Sequence, residues 1–136
     1  TNKGTKESPL MYSEKGLFNG IGFDVNEDGQ LEYEENYIDG KKIMESSWYV
    51  NGQLKYKYNY RDGEWDGLRK GWWENGQLKK EYNYKDGKRD GLCKSWWNNG
   101  QLRFEGNYKN GFEDGSLKTW LENGQQNWGG IIKMVK

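Results

Sequence analysis

The sequence predicts an all-β fold: an elongated single-layer antiparallel β-meander built from tandem β-hairpin repeats of about 24 residues. Three observations carry this. An Asn-Gly or Asp-Gly pair returns at a fixed interval, the runs on either side of each pair alternate aromatic with polar residues, and aliphatic bulk is scarce.

Taken in chain order, Gly16-Leu17-Phe18-Asn19-Gly20 reads as an incomplete first unit. Asp28-Gly29-Gln30-Leu31 follows, then Asn51-Gly52-Gln53-Leu54, Asn75-Gly76-Gln77-Leu78, Asn99-Gly100-Gln101-Leu102 and Asn123-Gly124-Gln125-Gln126. The glycines at 52, 76, 100 and 124 are each 24 apart, and Gly29 precedes them by 23. Between them lies a second series, Asn36-Tyr37, Asn59-Tyr60, Asn83-Tyr84 and Asn107-Tyr108, each leading to an Asp-Gly or Asn-Gly at Gly40, Gly63, Gly87 or Gly111. A third glycine comes four residues later, at Gly67, Gly91 and Gly115. The organisation expected is an N-terminal extension over 1–15, one domain of hairpin repeats over 16–128 and a C-terminal tail over 129–136.

Asn-Gly accepts the positive φ that a type I′ turn demands at both central residues, so each repeat is expected to be a hairpin with a two-residue Asn-Gly loop. That register sets Trp73 opposite Leu78, Trp72 opposite Lys79, Lys70 opposite Glu81 and Arg69 opposite Tyr82. One face then carries Trp73, Leu78, Tyr82 and Tyr84 with their counterparts Tyr49, Leu54, Tyr58, Tyr60 and Trp97, Leu102, Phe104, Tyr108, and is expected to be the core. The other carries Trp48, Trp72, Trp96 and Trp120 as a stripe, with Lys55, Lys79 and Arg103 over the rings of the first three.

Composition narrows the functions available. Lys plus Arg and Asp plus Glu both number 21, so no basic stripe dominates and nucleic acid is not an expected partner. The chain has no histidine, which removes the usual general base and most zinc sites, and no enzyme or cofactor is expected. Cys93, the single cysteine, cannot form an internal disulfide and reads as a small apolar strand residue. No apolar run reaches the roughly 18 residues of a membrane helix, so a soluble domain is expected. The first residue is Thr1 rather than Met, which leaves the compartment open between cytoplasm and export with a trimmed leader.

Two motifs compete with this reading. Asp24-x-Asn26-x-Asp28-Gly29-x-Leu31, closing on Glu35, fits an EF-hand calcium loop position by position. Such a loop needs flanking helices, and Gly16, Gly20, Gly22 and Gly40 disfavour them, so strand, turn and strand is the expectation for residues 24–35. The neighbouring carboxylates Glu34 and Glu35 would point to opposite faces of a strand and cannot flank one glycosidic bond.

Tyr84-Lys85-Asp86-Gly87-Lys88-Arg89-Asp90-Gly91, followed by Trp96-Trp97-Asn98-Asn99-Gly100-Gln101-Leu102, resembles the unit of the bacterial MORN variant repeat family. The resemblance covers most of residues 16–128 and lacks the Gly-x-Gly ending of eukaryotic MORN repeats. It implies the meander fold and a protein-binding role. The YwqK-like antitoxins within that family imply a toxin as partner and, in that case, a cytoplasmic location.

For the aromatic stripe three readings stand: structural cover for the sheet, a protein-binding face, or a platform for cell-wall glycan. The leading expectation is partner-protein binding of antitoxin or immunity type through Trp48, Trp72, Trp96, Trp120, Lys55, Lys79 and Arg103, with glycan binding as the alternative.

Overall fold

The computed structural model describes residues 2–4, 9–13 and 16–127, with side chains from residue 16 onward. Among them there is no helix. Three short strands, β1 (Asn2–Gly4), β2 (Pro9–Ser13) and β3 (Gly16–Leu17), pair antiparallel in that order. The remaining nine form one open meander in strict sequence order. They are β4 (Gly20–Val25), β5 (Leu31–Ile38), β6 (Lys41–Trp48), β7 (Leu54–Arg61), β8 (Glu64–Trp72), β9 (Leu78–Lys85), β10 (Lys88–Trp96), β11 (Leu102–Lys109) and β12 (Phe112–Thr119).

The two-residue loops fall on the second turn series and not on the Asn-Gly-Gln series where the sequence suggests them. Positive φ at both central residues occurs at Asp39-Gly40, Asp62-Gly63, Asp86-Gly87 and Asn110-Gly111, so these are the two-residue loops, closing pairs such as Lys85 with Lys88. In the pairs ending at Gly29, Gly52, Gly76, Gly100 and Gly124 only the glycine has positive φ, 88° at Gly76. There the loop has three residues, Glu74 to Gly76, closed by Trp73 N–H donating to the Gln77 carbonyl at 2.8 Å. The asparagine instead spends its side chain on the turn: Asn75 Oδ1 accepts from Gln77 N–H at 3.0 Å, while Asn75 Nδ2 donates to the Asn98 carbonyl of the next turn at 2.8 Å. Asn51 and Asn99 make the same pair of bonds, which strings consecutive turns into a ladder.

The extra loop residue shifts the register. Lys70 faces Glu81 and Arg69 faces Tyr82 as expected, but Trp72 pairs with Leu78 and Lys79 is left as an unpaired bulge residue. Lys55 and Arg103 are the equivalent bulge residues of β7 and β11. Residues 24–35 are strand, turn and strand, and Asn26 Oδ1 is engaged by the N–H groups of Asp28 and Gln30.

The third glycine of each unit also has a structural cause. Between Tyr58–Arg69 and Tyr60–Trp65, Asn59 stands against three residues of β8, and its Nδ2 donates to the Leu68 carbonyl at 2.7 Å. Gly67 takes a φ of 91° there and Gly91 one of 104° in the next repeat, a region that residues with a Cβ avoid.

Cross-strand pairing places Glu35, Glu45, Tyr58, Arg69, Tyr82, Cys93, Gly106 and Leu117 in one row across the core face. Tyr37, Tyr84 and Tyr108 are buried on the same face, and Cys93 is wholly enclosed at 0% exposure. Burial pushes its thiol pKa up, so it stays a protonated packing group. The opposite face carries the Lys70–Glu81 and Lys94–Glu105 ion pairs at 3.3 and 3.5 Å, both half-exposed.

Candidate functional site

The core face changes chemistry along the sheet. At its N-terminal end lies an acidic centre: Glu45 is 9% exposed and accepts from Tyr33 Oη at 2.6 Å and from Tyr60 Oη, with Lys42 Nζ at 3.7 Å. Tyr37 donates to Glu35, the cross-strand neighbour of Glu45. Burial, reinforced by these carboxylate hydrogen bonds, pushes the phenols of Tyr33, Tyr37 and Tyr60 well above their ordinary range. Two acids do share a face here, but the sequence-adjacent pair Glu34–Glu35 is not that pair.

Across β8 to β10 cations replace the acids. The Arg69 guanidinium lies 3.9 Å from the Trp65 ring and 4.5 Å from the Tyr58 ring, and Arg89 lies 4.9 Å from Tyr82 and 5.0 Å from Tyr108. Among the described residues neither has a carboxylate within 4.0 Å. Ring quadrupoles hold these guanidiniums in place without neutralising them, each such contact contributing about 0.5–2 kcal/mol.

Beside Arg69 and Arg89 the sheet opens into a groove of about 670 Å³. Its floor follows from one cross-strand row, Gly71, Lys80, Ser95, Phe104 and Thr119. Small residues in that row leave space beside large ones. The Lys80 stem leans toward β8: a Cβ placed on Gly71 would meet Lys80 Cε at 3.3 Å, and Nζ stands 5.9 Å from the Tyr58 ring. The room above Ser95 stays open, between Lys80 and Phe104, with Trp96, Trp97 and Trp120 along the rim.

Of the seven residues expected to bind a partner, the groove brings together Lys79, Trp96, Arg103 and Trp120; Trp48, Lys55 and Trp72 lie outside it. The cations are not over the stripe. Lys55 sits 5.6 Å from the ring of Tyr49, Lys79 4.6 Å from Trp73 and Arg103 4.5 Å from Trp97, because the bulge turns each toward the second aromatic of its pair. Those second aromatics tie repeats together: Tyr49 Oη donates to the Trp72 carbonyl at 2.7 Å, Trp73 Nε1 to Trp96 at 3.3 Å and Trp97 Nε1 to Trp120 at 3.0 Å. Trp48, Trp72 and Trp96 are half-exposed and pair across strands with Leu54, Leu78 and Leu102.

Sequence reasoning missed Lys80. The signal was present, since Lys80 occupies the position held by Tyr56 and Phe104 in the flanking units.

Comparison with known families returns the MORN repeat variant, matching four segments, 19–39, 44–62, 65–86 and 89–110, which together cover more than half of the chain. The chain belongs to the MORN repeat variant family. The matched segments fall on successive hairpins of the nine-stranded sheet, and MORN repeats are generally non-catalytic binding modules. No curated protein and no solved structure matches it. No helix among the described residues of this MORN repeat protein is long and apolar enough to cross a membrane.

Proposed function

We propose that this MORN repeat protein is a non-catalytic protein-binding module, with neutralisation of a partner toxin, as an antitoxin or immunity protein, as its biological role. The observation that carries the binding reading is the groove of about 670 Å³, in which three cations, small residues and large aromatics converge on an otherwise thin sheet. Trp, Tyr and Arg are the side chains that anchor protein interfaces most strongly, and clefts with a few converging polar groups are where ligands seat. Trp96, Trp120, Lys79 and Arg103 serve as rim contacts in this reading, and Trp48, Trp72 and Lys55 extend the surface along the sheet.

Co-expression with the product of any adjacent toxin-like gene tests the role. The expected result is restored growth together with a stable complex on gel filtration, and absence of both outcomes overturns the antitoxin role. Retention on immobilised cell-wall polysaccharide, with no protein partner recovered from the native organism, would replace protein binding with the glycan alternative.

A further inference from the structure

On the core face Glu35 and Glu45 are held by tyrosines and Lys42 at one end, and Glu113 stands opposite Tyr108 on β12 at the other. Between them Arg69, Lys80 and Arg89 stand on the consecutive strands β8, β9 and β10. Arg69 and Arg89 are fixed by aromatic rings. Lys80 is not: its nearest ring is 5.9 Å away, and among the described residues no carboxylate reaches it within 4.0 Å. Its half-buried ammonium has its pKa lowered by burial first and then by Arg69, Lys79 and Arg89, the direction expected of a cation lacking its counter-charge. Every repeat-equivalent position near it is aromatic, Tyr56 before and Phe104 after, so the fold itself does not call for a lysine there.

We propose that the groove over Lys80 and Ser95 binds an acidic peptide segment of the partner protein, a carboxylate pairing with Lys80 while a neighbouring apolar side chain packs on Phe104 and between Trp97 and Trp120. This rests on the protein-binding reading and names the chemistry of the partner. Charge complementarity selects the occupant: Lys79, Lys80 and Arg103 all border the groove, and among the described residues no acid does. A peptide fits better than a long polyanion, because at the Asp-Gly end of β7 to β10 the carboxylates of Asp62, Asp66, Asp86 and Asp90 outnumber Arg61, Lys85 and the Lys41 partner of Asp62 and would disfavour a phosphate backbone crossing the sheet. The aromatic rim also suits apolar side chains set among carboxylates.

The test selects a display library of random 12-residue peptides on the whole chain. Expected are sequences rich in Asp and Glu interspersed with Leu, Phe or Trp, whose affinity for one synthetic representative falls as salt rises. Lys80→Tyr, which restores the repeat pattern and is expected to keep or raise the melting temperature, should weaken that peptide at least tenfold. Ser95→Tyr, which fills the groove, should do the same, and Lys94→Met on the opposite face should leave affinity unchanged. Recovery of neutral or basic sequences, recovery of none, or equal affinity for Lys80→Tyr overturns the proposal, as does binding of a single-stranded oligonucleotide or phosphatidylserine vesicles in place of peptide. A native partner that binds wild type and Lys80→Tyr alike would overturn the acidic groove while leaving the protein-binding reading intact.

Discussion

The indole N–H of Trp97 donates to the backbone carbonyl of Trp120, 23 residues on and in the next repeat, at 3.0 Å, while the Arg103 guanidinium lies 4.5 Å from the same indole ring. One side chain thus joins two hairpins and braces a bulge residue. Trp97→Phe keeps the ring and loses the donor, leaving the Trp120 carbonyl short of a partner, at an expected cost of about 0.5–1.5 kcal/mol. Thermal melts should show Trp73→Ala and Trp97→Ala, which lose indole N–H donors to the next repeat, to be clearly worse than Trp72→Ala and Trp96→Ala, whose indoles donate no hydrogen bond among the described residues. Equal losses in both pairs would mean that the half-exposed stripe carries as much of the fold.

The two turn types should answer differently to the same kind of exchange. Asn75→Asp keeps the Oδ1 acceptor for Gln77 and loses the Nδ2 donor to Asn98, so about 0.5–1.5 kcal/mol is expected to go. Asp86→Asn leaves the positive-φ turn intact, since asparagine tolerates φ of 52° as well as aspartate does, and should be near neutral. Asp86→Val at that φ should cost about 1–3 kcal/mol by chemical denaturation.

Gly106 fits because it lacks a side chain. A Cβ there would lie 2.3 Å from Leu117 Cδ2 and 3.2 Å from Phe104 Cζ. Gly106→Ala therefore forces Leu117 out of its rotamer at about 1–3 kcal/mol. Adding Leu117→Val should recover part of that loss, and a double-mutant cycle in which the two changes simply add would rule out the contact as the cause.

Alkaline pH should unfold the N-terminal half of the sheet. Tyr33, Tyr37 and Tyr60 have phenols raised above the ordinary 10.0 in the folded chain. Their contribution to stability is complete below pH 10 and is lost as pH rises above it, because the unfolded chain releases those protons first. Absorbance at 295 nm should show part of the tyrosine population ionising only together with loss of structure, and Glu45→Gln should change that step. Smooth titration of all ten tyrosines in a folded chain would refute the acidic centre around Glu45.

The meander is legible because its period is written in residues that control backbone φ, and the two-residue-loop register gives Lys70–Glu81 and Arg69–Tyr82 correctly because the bulge at Lys79 offsets the extra loop residue. The turn types are not. Asn-Gly and Asp-Gly have nearly equal preference for a two-residue loop, so the pair itself does not say which series takes it, and the three-residue loop closes alike at Asp28-Gly29, Asn75-Gly76 and Asn123-Gly124. Once the loop gains a residue, the partner of Trp72 changes and Lys79 moves from the stripe to Trp73. The groove was hidden for a different reason. It arises where small residues of separate strands, Gly71 and Ser95, fall in one row, and periodicity within a repeat does not report such coincidences.

Glu45, Arg69, Cys93 and Leu117 occupy the same place in successive repeats, yet one is an acid, one a base, one a thiol and one an alkyl group. Near-identical hairpins invite misassembly, in which a strand docks one repeat early or late and every turn still closes. Here such an error is penalised at the centre of the strand. Arg69 entering in place of Cys93 would stand between Tyr82 and Gly106, trading the Tyr58 ring for a glycine, and Glu45 entering in place of Arg69 would bury a carboxylate between two aromatic faces. The central row gives each hairpin its own address, so a chain assembled from copies has only one order in which it can zip.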